Sequence, residues 1–147
     1  TPRIYDEHSV TKLQIGKGAI LTEGSDVAII ACGVMVSKAL QASDELKSQG
    51  INSTVVDMHT IKPLDHELLT QLSDKCGCFV TVEDHSIIGG LGGAVAEFLV
   101  SNMPCPLERI GVNDHFGESG QGEELFIKYG MSVEHIVSSA KTVISRK

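Results

Sequence analysis

Two neighbouring stretches of this sequence carry residue types that are capable of chemistry. Glu83, Asp84 and His85 place an acid and a base together at the end of an apolar run, and a glycine-rich stretch follows at residues 89–93. Adjacent residues that leave a strand point in different directions, so the three side chains cannot all converge on one atom. A satisfied hydrogen-bond network is therefore favoured over an acid and base catalytic set.

The glycine-rich stretch predicts a turn that leads into a helix. Free backbone N–H groups and the helix dipole at such a start can bind an anion. The dinucleotide pattern fails because Val95 stands where its third glycine should be, and the stretch lacks the Lys-Ser or Lys-Thr of a phosphate-binding loop. We therefore expect a close-packed turn, with a stand-alone anion-binding regulatory module as the alternative. The candidate ligand residues for that alternative are Glu83, His85, Gly89, Gly90 and Gly92.

Other reactive residues form no recognisable site. A small polar site could form where neighbouring strands end, from His85, Asp114 and His115. No other feature of the sequence supports such a site. The chain has four cysteines, Cys32, Cys76, Cys78 and Cys105. We expect them to be reduced and mostly buried, because a chain of this length can bury a core without disulfides. No cysteine or histidine pair has zinc-site spacing, so we expect no metal site.

Composition excludes several classes of function. The chain has 147 residues and a mass of 15.7 kDa, which fits one domain with 41% hydrophobic and 21% charged residues. A net charge of -7 has the wrong sign for binding a phosphate backbone, so a nucleic-acid partner is not expected. No apolar run reaches the 18 or more residues that span a membrane, and a cytoplasmic location is the default expectation.

Short apolar runs alternate with helical patterns along the chain. Strands are predicted at residues 19–22, 27–32, 51–58, 78–83 and 107–112. One helix is predicted from about residue 36 to a stop at Gly50, and two more over residues 91–99 and 123–129. A further helix is predicted after an N-cap at Asp65, and a last one after an N-cap at Ser132. This alternation predicts an α/β fold, a three-layer α/β/α sandwich around a mostly parallel sheet.

Three blocks of sequence, in this order, carry a resemblance to a known family. They are VDMHTIKPLD at residues 56–65, TVEDHSIIGGLGGAV at 81–95, and FGESG at 116–120, which leads to KYGM at 128–131. Together they resemble the C-terminal domain of transketolases, most closely of the split, two-subunit form and the animal-type enzyme. The likeness runs from about Ile15 to the end of the chain.

The resemblance implies a parent enzyme that uses thiamine diphosphate, with Mg²⁺ or Ca²⁺, to move a two-carbon ketol unit between sugar phosphates, as in the pentose phosphate pathway. In that family the cofactor lies between a pyrophosphate-binding and a pyrimidine-binding domain, so no catalytic, cofactor-binding or metal residue is carried over to this chain. The third domain has a five-stranded sheet with one antiparallel strand, which residues 19–22 would supply. Residues 1–15 would be a linker from a missing pyrimidine-binding domain, and residues 16–147 the domain itself.

The implied role is packing and assembly within a homo-oligomer, expected to be a dimer. A domain of this kind should present an apolar patch of a few hundred Å² or more where its neighbour covers it. Deoxyxylulose-phosphate synthase and the beta subunit of 2-oxo acid dehydrogenases carry a similar third domain and remain alternatives. The block from FGESG to KYG argues against both.

Overall fold

The computed structural model describes residues 15–86, 90–112 and 131–147. The strands are β1 (Ala19–Thr22), β2 (Val27–Ala31), β3 (Ser53–Asp57), β4 (Phe79–Ser86) and β5 (Leu107–Val112). The helices are α1 (Met35–Ser48), α2 (His66–Lys75), α3 (Leu91–Asn102) and α4 (Val133–Ser145). The predicted helix at residues 123–129 lies outside the described residues.

The strands form one five-stranded sheet in the order β1-β3-β2-β4-β5. β3, β2, β4 and β5 run parallel, whereas β1 pairs with β3 in the antiparallel sense. Every residue of β2 and β3 is buried, because helices cover both faces of the sheet, and this explains the continuous apolar run of β2. The predicted α/β class and the single antiparallel strand are confirmed.

The helices lie in two layers, and each layer closes its own apolar core. α1 and α4 pack on one face of the sheet, where Ile29, Val55 and Val82 point. α2 and α3 pack on the other face, where Ile30, Val56 and Phe79 point. Alternate residues of a strand face opposite sides, so β2 supplies both cores. The three-layer sandwich is confirmed.

The helix boundaries follow from local hydrogen bonding. Asp65 caps α2 by accepting from the backbone N–H of Leu68 at 3.1 Å, and Ser132 caps α4 by accepting from that of His135 at 3.4 Å. Gly50, just beyond α1, has a φ of +81°, a conformation that favours glycine. All three predicted helix boundaries are confirmed.

β2, β3 and β4 differ from their predicted bounds by one to three residues, most at the start of β3 and the end of β4. β3 begins at residue 53 rather than 51, because the N–H of Asn52 donates to the side chain of Asp26, at Oδ2 and 2.7 Å, instead of to a neighbouring strand. β4 continues beyond residue 83, since after a register shift Ser86 pairs with Val112. No helix within the described part of the chain is long and apolar enough to cross a membrane.

Candidate functional site

The carboxyl ends of β2, β3 and β4 bring a thiol and several carboxylates together. Cys32 follows β2, Asp57 ends β3, and Glu83 and Asp84 lie near the end of β4. Burial is the largest cause that raises the pKa of Cys32 to about 11. The negative charges of Glu83, Asp84 and Asp57 raise it further, in that order of size. The thiol is therefore protonated at neutral pH and is a poor nucleophile.

Glu83 is fully buried beneath the start of α3. Its Oε1 accepts from the backbone N–H of Leu91 at 2.8 Å, and its Oε2 accepts from that of Gly92 at 2.6 Å. The N-cap residue Gly90 offers no side chain, so the Glu83 carboxylate caps the helix instead. A negative charge at this end also interacts favourably with the helix dipole. The candidate acid of the sequence is thus engaged in a structural contact.

Gly92, in the first turn of α3, is closely packed against the sheet. A Cβ added to Gly92 would lie 2.9 Å from Thr81 Oγ1 and 3.1 Å from Arg109 Cδ, closer than normal contact distances. Gly92 is therefore required so that α3 can approach β4 and β5. This packing agrees with the close-packed turn that the sequence favours.

Of the five candidate ligand residues, the structure describes Glu83, Gly90 and Gly92, and these three are engaged in holding the start of α3. Glu83 occupies the position at the helix start where an anion would bind, and it takes the N–H of Gly92. Gly90 accepts from the N–H of Ala94 at 3.0 Å as the first carbonyl of the helix. Gly89, the side chain of His85 and the neighbouring Asp114 and His115 lie outside the described residues.

The described residues do not fit a diphosphate with its metal ion. A diphosphate at the start of α3 would compete with Glu83 for the same two donors and would be repelled by its charge. In residues 15–86, 90–112 and 131–147, no group of three or more His, Cys, Asp or Glu side chains could hold a metal ion. In the described part of this edge, Glu83 therefore positions α3.

The other three cysteines are free thiols as well. All four are free; Cys32, Cys76 and Cys78 are buried, and Cys105 is half-buried. Burial raises the pKa of Cys78 to about 11, although the charge of Lys147 acts in the opposite direction. Burial also raises the pKa of Cys76. The expectation of reduced, mostly buried cysteines is confirmed.

Comparison with known proteins identifies the family. The family model described as "Transketolase, C-terminal domain" matches residues 16–136. The chain belongs to the transketolase C-terminal domain family. The sequence resemblance, drawn from three blocks of sequence, is thereby confirmed.

Relatives of this transketolase domain cover nearly its whole length. A 6-deoxy-6-sulfo-D-fructose transketolase subunit of Clostridium sp. (strain MSTE9) is 44% identical over 99% of this chain and 45% of its own length. A 1-deoxy-D-xylulose-5-phosphate synthase of Caldanaerobacter subterraneus subsp. tengcongensis is 42% identical over 97% of this chain and 22% of its own. This chain therefore spans less than half the length of these curated relatives.

A solved structure shares the fold closely. A chain described as a split gene transketolase in an inactive beta4 tetramer matches with a TM-score of 0.92 and 42% identity. The match covers 98% of this chain and 46% of that chain. The transketolase C-terminal domain fold thus extends over nearly the whole of the present chain.

Sequence reasoning missed the structural role of Glu83 in this transketolase domain. It treated the residue as a ligand candidate because acidic residues at strand ends often face a site. One signal was available: the helix that follows starts at glycines, without the Ser, Thr, Asp or Asn that usually caps a helix. A helix start that lacks a local cap requires an acceptor from elsewhere in the fold.

Proposed function

We propose that this chain is the C-terminal assembly domain of a thiamine diphosphate-dependent transketolase. The parent enzyme would transfer two-carbon ketol units between phosphorylated sugars, in the cytoplasm and as part of the pentose phosphate pathway. Thiamine diphosphate and Mg²⁺ or Ca²⁺ would be held by the pyrimidine-binding and pyrophosphate-binding domains or subunits outside this chain. The chain would contribute no catalytic, cofactor-binding or metal residue.

The observation that carries the non-catalytic role is the position of Glu83. In an open parallel sheet, ligands bind at the carboxyl ends of the strands. Here the buried Glu83 carboxylate accepts from the N–H groups of Leu91 and Gly92, and burial raises the pKa of Cys32 so that its thiol keeps its proton at neutral pH. An edge devoted to holding a helix supports a role in packing rather than in chemistry.

Assembly with other parts of an enzyme is supported by the names of similar proteins. One relative is named as a transketolase subunit, and the similar solved chain is described as part of a beta4 tetramer. We extend this to the present chain as packing on a pyrimidine-binding domain within a homo-oligomer, with residues 1–15 as the linker and residues 16–147 as the domain.

A coupled ketol-transfer assay tests the proposal. The chain would be assayed with thiamine diphosphate and Mg²⁺, first alone and then with the remainder of the parent enzyme supplied. We expect no transfer by the chain alone and measurable transfer only after the parts are combined. Transfer by the chain alone would overturn the non-catalytic role.

A deoxyxylulose-phosphate synthase parent is the second candidate, favoured by relatives that carry that name over nearly the whole of this chain. The reconstituted enzyme would therefore also be assayed for 1-deoxy-D-xylulose 5-phosphate as a product. Formation of that product without ketol transfer would replace the first candidate with the second. The assembly role of this chain would be the same in both.

A further inference from the structure

The segment Cys76-Gly77-Cys78 joins α2 to β4 at the amino edge of the sheet, opposite to the edge where α3 begins. Cys76 is 3% exposed and Cys78 is fully buried. The Cys76 thiol donates to the carbonyl of Gly24, and the Cys78 thiol donates to that of Asp26, both at 3.4 Å. Both carbonyls belong to the connection between β1 and β2, residues 23–26. Two buried thiols therefore link two neighbouring loops, a role that the proposed assembly function does not explain.

Lys147 lies across this segment. Its Nζ donates to the carbonyl of Asp26 at 2.9 Å and to the carbonyl of Cys76 at 3.1 Å. Its side-chain stem passes over Gly77, because a Cβ added to that glycine would lie 3.6 Å from Lys147 Cδ. The Asp26 carbonyl thus accepts from both the Lys147 ammonium and the Cys78 thiol. A charged N–H donor forms a stronger hydrogen bond than a thiol does, so the ammonium is the strongest of these links.

The end of α4 holds Lys147 in this position. Arg146 Nη1 donates to the carbonyl of Leu107 at 3.4 Å and forms an ion pair with Glu108 Oε1 at 2.9 Å, both on β5. The backbone N–H of Lys147 donates to the carbonyl of Ile144 at 3.2 Å, so the last helical turn continues to the lysine. Lys147 is therefore the residue through which α4, fixed on β5, reaches the loops at the start of β2 and β4.

We propose that Lys147 is a latch that closes the amino edge of the sheet and controls the access of thiol reagents to Cys76 and Cys78. When its ammonium leaves the two carbonyls, the Cys76-Gly77-Cys78 segment and the connection at residues 23–26 lose their shared charged donor and separate. Such a local opening requires less free energy than unfolding of the whole domain. The two thiols then become modification sites while both cores stay closed. This inference does not depend on which reaction the parent enzyme performs.

Site-resolved labelling of the thiols in the chain tests the latch. Lys147→Met removes the ammonium and keeps a side chain of similar shape, and Lys141→Met is the matched control on the exposed side of the same helix. The natural chain and both variants would react with iodoacetamide under native conditions, and tandem mass spectrometry would give the rate at each cysteine. Each rate would be divided by the rate of the same cysteine in the chain unfolded in urea. Cys32 is the internal reference, because it is buried at the opposite edge of the sheet.

We expect Lys147→Met to raise the ratios at Cys76 and Cys78 at least about tenfold and the ratio at Cys32 by less than about twofold. Lys141→Met should leave all three ratios within about twofold of those of the natural chain. A ratio at Cys76 or Cys78 that is equal in the two variants would overturn the latch. An equal rise at all three cysteines would also overturn it, because Lys147 would then stabilise the whole domain rather than its amino edge.

Discussion

Helices α3 and α4 pack on opposite faces of one sheet, yet their outer surfaces differ. The outer face of α4 carries the polar and charged residues Glu134, His135, Lys141 and Thr142. That of α3 carries Val100 and small residues, with Glu97 as its single charge. Their starts differ as well, because α4 is capped by its own Ser132 and α3 by Glu83 of a neighbouring strand. The α4 side thus presents polar and charged groups to solvent, whereas the α3 side presents a large apolar side chain and small residues.

The largest effect is expected at the cap of α3. Glu83→Gln replaces a charged acceptor pair with a single oxygen and places an NH₂ group against a backbone N–H. We expect this change to lower the free energy of unfolding by about 3 kcal/mol, because a buried donor loses its partner. Urea denaturation monitored by circular dichroism would measure it.

Glu97→Gln is the matched control, since it makes the same chemical change on the exposed side of α3. We expect it to change the free energy of unfolding by no more than about 0.5 kcal/mol. Equal effects of the two substitutions would contradict the capping role of Glu83.

The capping residues also differ in whether the sequence can predict them. Ser132 and Asp65 each accept from the N–H three residues ahead, so a local pattern is sufficient to find them. Glu83 accepts from residues eight and nine positions ahead. That contact depends on how α3 packs against β4, which no short pattern records.

The same distinction applies to the groove beside α3, which is lined by the loop before α2 on one side and by α3 on the other. The helical spacing of Leu91, Val95 and Phe98 predicts α3 and its inner face, and a covered apolar face is expected from the resemblance. The place of the groove could not be predicted, because the loop at residues 60–65 lies about thirty residues earlier in the chain. Only the tertiary fold brings it beside α3 and beside Gly16.

The stability of the two cores can be compared at alkaline pH, because each contains a buried thiol. Cys32 belongs to the core on the α3 side and Cys78 to the core on the α4 side. Both have a pKa raised from 9.0 to about 11 in the folded chain. Between pH 9 and about pH 11 the unfolded chain releases thiol protons that the folded chain retains. The free energy of unfolding therefore falls as the pH rises. We expect a loss of up to about 2 kcal/mol per thiol.

Urea denaturation at pH 8 and pH 10.5 would measure this loss for the natural chain and for Cys32→Ala and Cys78→Ala. Each alanine variant should lose less stability over that interval than the natural chain does. An identical loss in all three proteins would show that the thiols do not cause it.

Alanine substitution of two adjacent glycines in α3 should change the free energy of unfolding with opposite signs. Gly92→Ala places a methyl group 2.9 Å from Thr81 Oγ1, and we expect a loss of about 1.5 kcal/mol from overpacking. Gly93 lines the groove, and Gly93→Ala should be neutral or stabilise by up to about 1 kcal/mol through helix propensity. Thermal unfolding of both variants would measure the difference, and a stabilised Gly92→Ala would contradict the close packing.

The smallest effect is expected at the local cap of α4. Ser132→Ala removes the acceptor of the His135 N–H and should cost about 1 kcal/mol. Urea denaturation of Ser132→Ala and Glu83→Gln in parallel would rank the two caps by the free energy of unfolding that each substitution removes. A loss at Ser132 that equals or exceeds the loss at Glu83 would reverse the comparison between local and tertiary capping.

We propose that this domain holds no cofactor and serves the assembly of an enzyme whose chemistry lies elsewhere. Isothermal titration calorimetry of thiamine diphosphate with Mg²⁺ into this chain tests it most directly. We predict no saturable binding at cofactor concentrations up to about 1 mM, a range in which a specific site would give a measurable free energy of binding. Saturable binding at one site per chain, with a Kd in the low micromolar range, would contradict the account.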